Sequence, residues 1–382
     1  MLIGVPAETM AGETRVAVTP ETAKKLVAQG HVVRVQSGAG VAASATDAAY
    51  TAVGAEITDA AGALGADLVL KVRAPSDAEL AQMKSGATLV GMLNPFDAAG
   101  LQKLASVGLT AFALEAAPRT TRAQSMDVLS SQANIAGYKA VMIAADKYQR
   151  FFPMLMTAAG TVTPAQVLVL GAGVAGLQAI ATARRLGAVV SAYDVRPASA
   201  DEVRSMGATF IDLKLEALEG AGGYAREMTE ERAAKQRELL TPYLASADVV
   251  ITTAAVPGRP APRLVTEEMV AAMKEGAVVV DLAAESGGNV AGAKPGEIVE
   301  KSGVRIWGGK DVPSQLPFHA SQLFAKNCMN LLMLMVKNEE GKSSLHLDFE
   351  DEIIAASAVT HHGEVRHEGA KAALSSASGG AQ

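Results

Sequence analysis

Short apolar runs that alternate with helical segments ending in glycine predict an α/β chain of two doubly wound parallel-sheet domains joined by long helices. Two further observations support this. The 382 residues fit two or three domains at roughly 100–200 residues each. The runs of the second half are nearly continuous in apolar and β-branched residues, as strands buried on both faces require.

Taking the elements in order, LIGV (2–5) and HVVRVQ (31–36) read as strands around the helical pattern TPETAKKLVAQG, with Thr19 or Thr22 as its cap and Gly30 closing it. The rhythm continues through DLVLKV (67–72), TLVGML (88–93) and TAFALE (110–115). From 129 to 149 the segment LSSQANIAGYKAVMIAADKYQ has apolar residues at helical spacing and no breaker except Gly137, so it reads as one long inter-domain helix. The boundary falls there, with residues 1–128 as the N-terminal domain and 129–319 as the second. The second series is QVLVL (166–170), VVSAYD (189–194), ATFIDL (208–213), DVVITTA (248–254), AVVVDLA (277–283) and VRIWGG (304–309). A second long helix, ASQLFAKNCMNLLMLMVK (320–337), returns the chain, so that residues 320–382 complete the first domain. After about residue 362 the chain is rich in Ala, Ser and Gly and reads as loose at its end.

Composition excludes several function classes. Apolar residues make up 49% and charged residues 19%, far from the disordered regime. Net charge is −6 and Lys and Arg are scattered singly, so nucleic acid is not an expected partner. The single cysteine, Cys328, excludes an internal disulfide or a cluster of thiolate ligands, and a reducing compartment is expected. The N-terminus MLIGVPAETMAGETR lacks the apolar run of a signal peptide, and no stretch of ~18 apolar residues occurs, so the chain itself is not expected to span a membrane. The histidines show no ligand spacing; His361 and His362 read as adjacent helix positions that cannot face one ion, and no metal is expected. The Met-rich stretch NCMNLLMLM reads as helix core.

QVLVL runs directly into GAGVAG at 171–176 and then into the helical pattern LQAIATARRLG. Between a strand and a helix, Gly171 permits the tight turn, Gly173 lets backbone approach a pyrophosphate, and Gly176 allows close helix–strand packing. The helix N-terminus adds oriented N–H donors for the phosphate charge. The next strand ends in Asp194, 18 residues beyond Gly176, where an acid accepts hydrogen bonds from the adenosine ribose hydroxyls and repels a 2′-phosphate. NAD(H) is therefore the expected cofactor. Arg196 reads as a solvated loop charge, with accommodation of a 2′-phosphate as its other reading. The candidate cofactor set is Gly171, Ala172, Gly173, Val174 and Gly176 in the turn, Asp194, Val195 and Arg196 after the next strand, and Thr253 and Ala254 at the end of DVVITTA.

Two polar segments have a bland reading beside a functional one. PRTTRAQSMDVLS (118–130) carries Arg119, Arg122, Gln124, Asp127 and Ser130; it reads either as a helix start capped by Ser125 or Asp127 or as a polar loop at the mouth of a cleft. EGAGGYAREMTEE (219–231) reads either as an ordinary surface loop or as a lid whose Tyr224 folds over bound cofactor. Arg15 in GETRVAVTP and Lys71 in LKVRAPS sit at strand ends, where each reads as a structural ion pair when taken alone.

Together GETRVAVTP, DLVLKVRAP, RAQSMD, SSQANIAGYKAV, MLMTAAGTV, GAGVAGLQAIATARRLGA, DVRP, AGGYAREM and VVVDLAAESGGN resemble the NAD(H)-binding component, domain I, of proton-translocating nicotinamide nucleotide transhydrogenase. The resemblance covers nearly the whole chain and implies two Rossmann-like domains. Alanine dehydrogenase is the sister family of the same architecture, and its cleft carries arginine, lysine, histidine and aspartate. Arg15 and Lys71 match the first two. At the histidine position this sequence has Asn94, which has no titratable nitrogen, and at the aspartate position it has Glu285, one methylene longer. Ring-to-ring hydride transfer needs no such acid–base pair.

In the transhydrogenase pattern the residues matching Arg119, Gln124, Asp127 and Ser130 hold the nicotinamide end and its ribose, and the residue matching Tyr224 lies on a mobile loop. The resemblance further implies NADP(H) as co-substrate on a separate NADP(H)-binding subunit, a membrane-spanning proton-channel subunit, a homodimer, and a cytoplasmic place at the inner membrane held through those partners. The alternatives are an alanine dehydrogenase-like oxidoreductase, a catalytically silent NAD-binding module and an unrelated oxidoreductase.

Overall fold

The computed structural model describes residues 1–216, 228–256, 258–339 and 342–379. It divides into two units, one of Met1–Gln132 with Ser314–Gln382 and one of Ala133–Pro313. Each unit is built on its own parallel-dominated sheet with helices, the α/β class expected from the sequence.

In the first unit an eight-stranded sheet runs in the order Glu364–Val365, Ala358–His361, Thr110–Ala113, Thr88–Met92, Leu68–Arg73, Leu2–Val5, Val32–Gln36, Glu56–Thr58. The strands from Leu2 to Ala113 pair in parallel, and the two C-terminal strands add on antiparallel. The helix Pro20–Ala28 follows the first strand. The Thr22 hydroxyl accepts the Thr19 N–H at 2.9 Å, and Gly30 closes the turn at φ +83°. The core packs Ile3, Val5, Leu70 and Phe112 of the sheet against Phe324 and Leu331 of the helix Pro317–Met335. C-terminal residues thus complete a core begun by N-terminal ones.

The second unit orders its seven strands Thr209–Phe210, Val189–Tyr193, Gln166–Leu170, Val249–Thr252, Val278–Asp281, Val304–Gly308, Ile298–Lys301. Alternate residues of one strand enter different cores. Val167 and Val169 pack with Ala179 and Ile180 of the helix Val174–Arg185, whereas Leu168 and Leu170 pack with Leu240 and Leu244 of the helix Glu230–Ser246. Burial on both faces is the reason these strands show no polar alternation. The strand order reverses beside Gln166–Leu170, so a crevice opens at the carboxyl ends of that strand and Val249–Thr252, the usual ligand position in such sheets.

Two expectations are corrected, and one is met only in part by the described residues. ATFIDL pairs over Thr209–Phe210 alone, because it is the sheet edge and has one neighbour. The tail is helical over Glu368–Gly379, its alanines being strong helix formers, and Ala370 of that helix is buried, while the end read as loose, 380–382, lies outside the described residues. His361 ends a strand and His362 turns at φ +49°, so the pair is not helical, and the two rings lie 3.7 Å apart between centroids and tilted by 46°.

Candidate functional site

In the second unit the strand Gln166–Leu170 ends at Gly171, whose φ of +100° is open to glycine at little cost. A Cβ there would also lie 2.7 Å from Thr253 Oγ1. Gly176 is held closer still, since a Cβ would meet the Gly171 carbonyl oxygen at 1.9 Å. Around Gly173 a Cβ would find no protein atom within 4 Å, so space stands open at the start of the helix Val174–Arg185. Gly173 is the N-cap and makes no side-chain cap bond, which leaves the first-turn N–H groups of that helix for a ligand.

The neighbouring candidates form one hydrogen-bonded cluster. Asp194 Oδ2 accepts the Ala172 N–H at 2.8 Å and Asp194 Oδ1 accepts the Arg196 N–H at 2.9 Å. Arg196 adds its side chain, Nε donating to Oδ1 and Nη2 to Oδ2, both at 2.8 Å. Arg196 is therefore half-buried in a two-pronged ion pair, not the solvated loop charge expected, because the bend after Asp194 folds the guanidinium back over its carboxylate. Val195, half-buried between them, packs with Leu170 and Tyr193. Thr253 Oγ1 donates to the Gly171 carbonyl at 3.0 Å. Ala254 is fixed from both sides by Asn289, which accepts its N–H at 3.0 Å and donates to its carbonyl at 2.8 Å. Asn289 is fully buried and was missed in the sequence, although its segment VVVDLAAESGGN carries the signal. Beside it, burial raises the Asp281 carboxyl above its usual range while N–H donors from Val290 and Ala283 oppose the shift. Tyr224 lies outside the described residues.

The first unit holds the polar loop. Arg119 and Gln124 are exposed, Asp127 and Ser130 half-buried. Asp127 caps the helix Val128–Tyr148: its Oδ1 accepts the Ser130 N–H at 2.9 Å and its Oδ2 accepts the Ser130 hydroxyl at 2.6 Å. The loop is fastened through the Ser125 carbonyl, which accepts 2.9 Å hydrogen bonds from the side chains of Asn327 and Asn330 on the helix Pro317–Met335. Arg122 pairs with Asp351.

Arg15 and Lys71 are buried and already paired. Arg15 binds Glu13 at 2.6 Å and Gln132 at 2.8 Å; Lys71 binds Glu79 at 2.8 Å and Glu8 at 3.3 Å. Burial alone would raise the Glu13 carboxyl, but the Arg15 and Arg73 guanidiniums outweigh it and hold it at about 2. Asn94 sits at φ +52° and donates its N–H to Glu115 at 2.8 Å. Burial pushes that carboxyl up to about 6, and its second oxygen is buried without a partner. Glu285 is exposed and accepts the Asp311 N–H at 3.0 Å. Burial also raises the Cys328 thiol, so it stays protonated and inert. Among the described residues no group of three or more His, Cys, Asp or Glu could hold a metal, and no helix is long and apolar enough to cross a membrane.

Comparison with known proteins matches residues 4–136 to the alanine dehydrogenase/PNT N-terminal domain and residues 140–368 to the alanine dehydrogenase/PNT C-terminal domain. The chain is 50% identical over 378 residues to the first polypeptide of NAD(P) transhydrogenase subunit alpha of Rhodospirillum rubrum, covering 96% of this chain and 98% of that protein. It is 34% identical over 301 residues to alanine dehydrogenase of Mycobacterium tuberculosis, covering 77% and 76%. The crystal structure of transhydrogenase from Sinorhizobium meliloti superimposes with a TM-score of 0.86 at 48% identity, covering 96% of this chain and all of that one. With both domains matched across nearly its whole length, the chain belongs to the alanine dehydrogenase/PNT family.

Proposed function

We propose that this chain is the NAD(H)-binding component of a proton-translocating transhydrogenase. It holds NAD(H) at the Gly171 turn and passes hydride directly between that nicotinamide and the nicotinamide of NADP(H) on a partner subunit, while proton passage across the membrane is coupled elsewhere. The observation that carries this over the dehydrogenase reading is position 94, where an asparagine replaces the titrating imidazole that amino-acid oxidation requires. The stronger match to proteins named NAD(P) transhydrogenase subunit alpha supports it.

The chemistry asks for placement, with the reacting carbons roughly 3–3.5 Å apart and water kept out. Arg119, Gln124, Asp127 and Ser130 hold the nicotinamide end and its ribose, and Tyr224 closes over the bound nucleotide. The turn set from Gly171 to Gly176, with Asp194, Val195, Arg196, Thr253 and Ala254, holds the adenosine and pyrophosphate. The partners are a membrane-spanning proton-channel subunit and the NADP(H)-binding subunit, which keep the chain in the cytoplasm against the inner membrane. A second copy completes a homodimer; the hairpin Leu155–Thr157/Gly160–Val162 supports this, since Met154 is 58% and Met156 72% exposed beside it. The alternative is an alanine dehydrogenase-like oxidoreductase, favoured by the presence of Arg15 and Lys71. Assaying the chain with NADH, pyruvate and ammonia, and again with NADP⁺ on its partner subunits, separates the two. Turnover in the first assay overturns the proposal.

A further inference from the structure

The Asp194 carboxylate has no acceptor capacity left. A carboxylate offers about four lone-pair sites, and four N–H groups fill them: Ala172 N and Arg196 Nη2 on Oδ2, Arg196 N and Arg196 Nε on Oδ1. Its side chain is only 7% exposed, and the Arg196 side chain that covers it is 23% exposed. A ribose hydroxyl arriving at this acid finds every acceptor position taken.

The four donors are not equivalent. Two are main-chain N–H groups, of Ala172 in the glycine turn and Arg196 in the bend after the strand, and they move only if the backbone moves. The other two sit at the end of a long side chain whose own surface reaches solvent. They alone can leave without disturbing the fold. A guanidinium presents two parallel N–H donors, and a vicinal diol presents two O–H donors side by side, so one can take the place of the other on a single carboxylate.

We propose that Arg196 is a displaceable plug: in the nucleotide-free chain its guanidinium occupies the two acceptor positions that the 2′- and 3′-hydroxyls of the adenosine ribose take, and it withdraws when the nucleotide enters. The proposal rests on the assignment of NAD(H) to the Gly171 turn and names a specificity device within that site. The plug keeps the nearly buried charge of Asp194 paired while the site is empty, which an isolated carboxylate there would need. Its cost is competition, since the apparent affinity falls by the fraction of chains in which the plug is out. A ligand with both hydroxyls repays both lost hydrogen bonds. A 2′-phosphate repays at most one and sets its own charge against Asp194.

The test uses the full chain and neutral adenosine, which reads the diol without the pyrophosphate charge, in competition with NADH. Arg196→Met removes the guanidinium and keeps a side chain of similar reach. Adenosine should then bind about 3- to 10-fold more tightly than to the unaltered chain, while 2′,3′-dideoxyadenosine should bind unchanged, and Arg196→Gln should follow Arg196→Met. Thermal melting of each nucleotide-free variant checks that the fold persists. Adenosine binding that is unchanged or weaker in both variants, with the unaltered chain still binding NADH, overturns the plug alone. If the unaltered chain binds neither NADH nor adenosine, the nucleotide assignment itself fails and the plug with it.

Discussion

Gly137 stands so close to Ala175 that a Cβ on it would lie 2.1 Å from the Ala175 carbonyl oxygen. Two helices meet there backbone to backbone within the second unit, the part of the long helix Val128–Tyr148 beyond Gln132 and the first turn of Val174–Arg185. The glycine that looked like the one weak point of the long helix is what permits the approach. Gly137→Ala should destabilise the second unit by about 1–3 kcal/mol, the usual cost of overpacking a close contact, because the ~1 kcal/mol that alanine gains over glycine in a helix offsets only part of the strain. Thermal unfolding should show a fall of about 2–10 °C. A variant that melts higher would mean the helices separate freely.

Cofactor preference follows from Asp194. NADH should bind at least ~10-fold more tightly than NADPH, about 1.4 kcal/mol. Asp194→Ala should narrow the gap from both sides, since it removes the ribose acceptor and releases the Arg196 guanidinium to meet a 2′-phosphate. Equilibrium titration with both nucleotides checks this, and equal affinities in the unaltered chain would contradict it.

The polar loop separates placement from capping. Asp127→Asn keeps an acceptor for the Ser130 N–H, so the helix start should survive with a loss of no more than about 1 kcal/mol. In the presence of the NADP-binding partner, Asp127→Asn and Gln124→Ala should nevertheless slow single-turnover hydride transfer far more than they weaken NADH binding. Replacing Asn94 by a residue of similar size should cost little. Unaltered transfer rates in both loop variants would leave Asp127 as a helix cap and nothing more.

If Tyr224 closes over the bound nucleotide, Tyr224→Ala should speed nucleotide release while the melting temperature of the nucleotide-free chain stays nearly constant. Stopped-flow dissociation and a melting curve suffice. A large loss of stability would identify a core tyrosine in place of a lid.

Two buried carboxyls give opposite pH dependences. Glu115, raised by burial from 4.5 to about 6, favours the neutral form in the folded state; its contribution is complete below about pH 4.5 and is lost as pH rises through 6, by about 2 kcal/mol. Glu13, held by two arginines at about 2, contributes fully above pH 4.5 and loses that contribution as pH falls toward 2. Denaturant unfolding from pH 2 to 8 should show Glu115→Gln flattening the upper limb and leaving the acid limb in place. A variant with the same upper limb as the unaltered chain would assign that slope elsewhere.

Much of this was legible in the sequence, for reasons that differ by residue. Gly171 and Gly176 stand out because each meets a local demand, a left-handed turn and a close approach, that few other residues satisfy. Asp127 could be named as a cap because caps are set by the next three residues. Arg196 was misread since a side chain that folds back on its own loop leaves no periodic trace. Asn289 and Asn327 act on backbone 35 and 202 residues away, at Ala254 and Ser125; the segment VVVDLAAESGGN marks Asn289 as part of a motif, but local sequence does not name a partner that distant for either. The antiparallel pair Ala358–His361 and Glu364–Val365 was hidden by its shortness, four residues and two.

The first unit is interrupted by the second, and that sets the order of events on the ribosome. When Gln132 has emerged, its core still lacks Phe324, Leu331 and the strand Ala358–His361 that covers Thr110–Ala113. At ~5–20 residues per second, the intervening stretch of about 180 residues takes on the order of 10–40 s to synthesise. The second unit, continuous in the chain, can close within that interval, while the half-made first sheet waits with an apolar face and an open strand edge. Newborn chains are therefore most exposed to misassociation in the N-terminal sheet, and a holdase that binds nascent chains would find its target there.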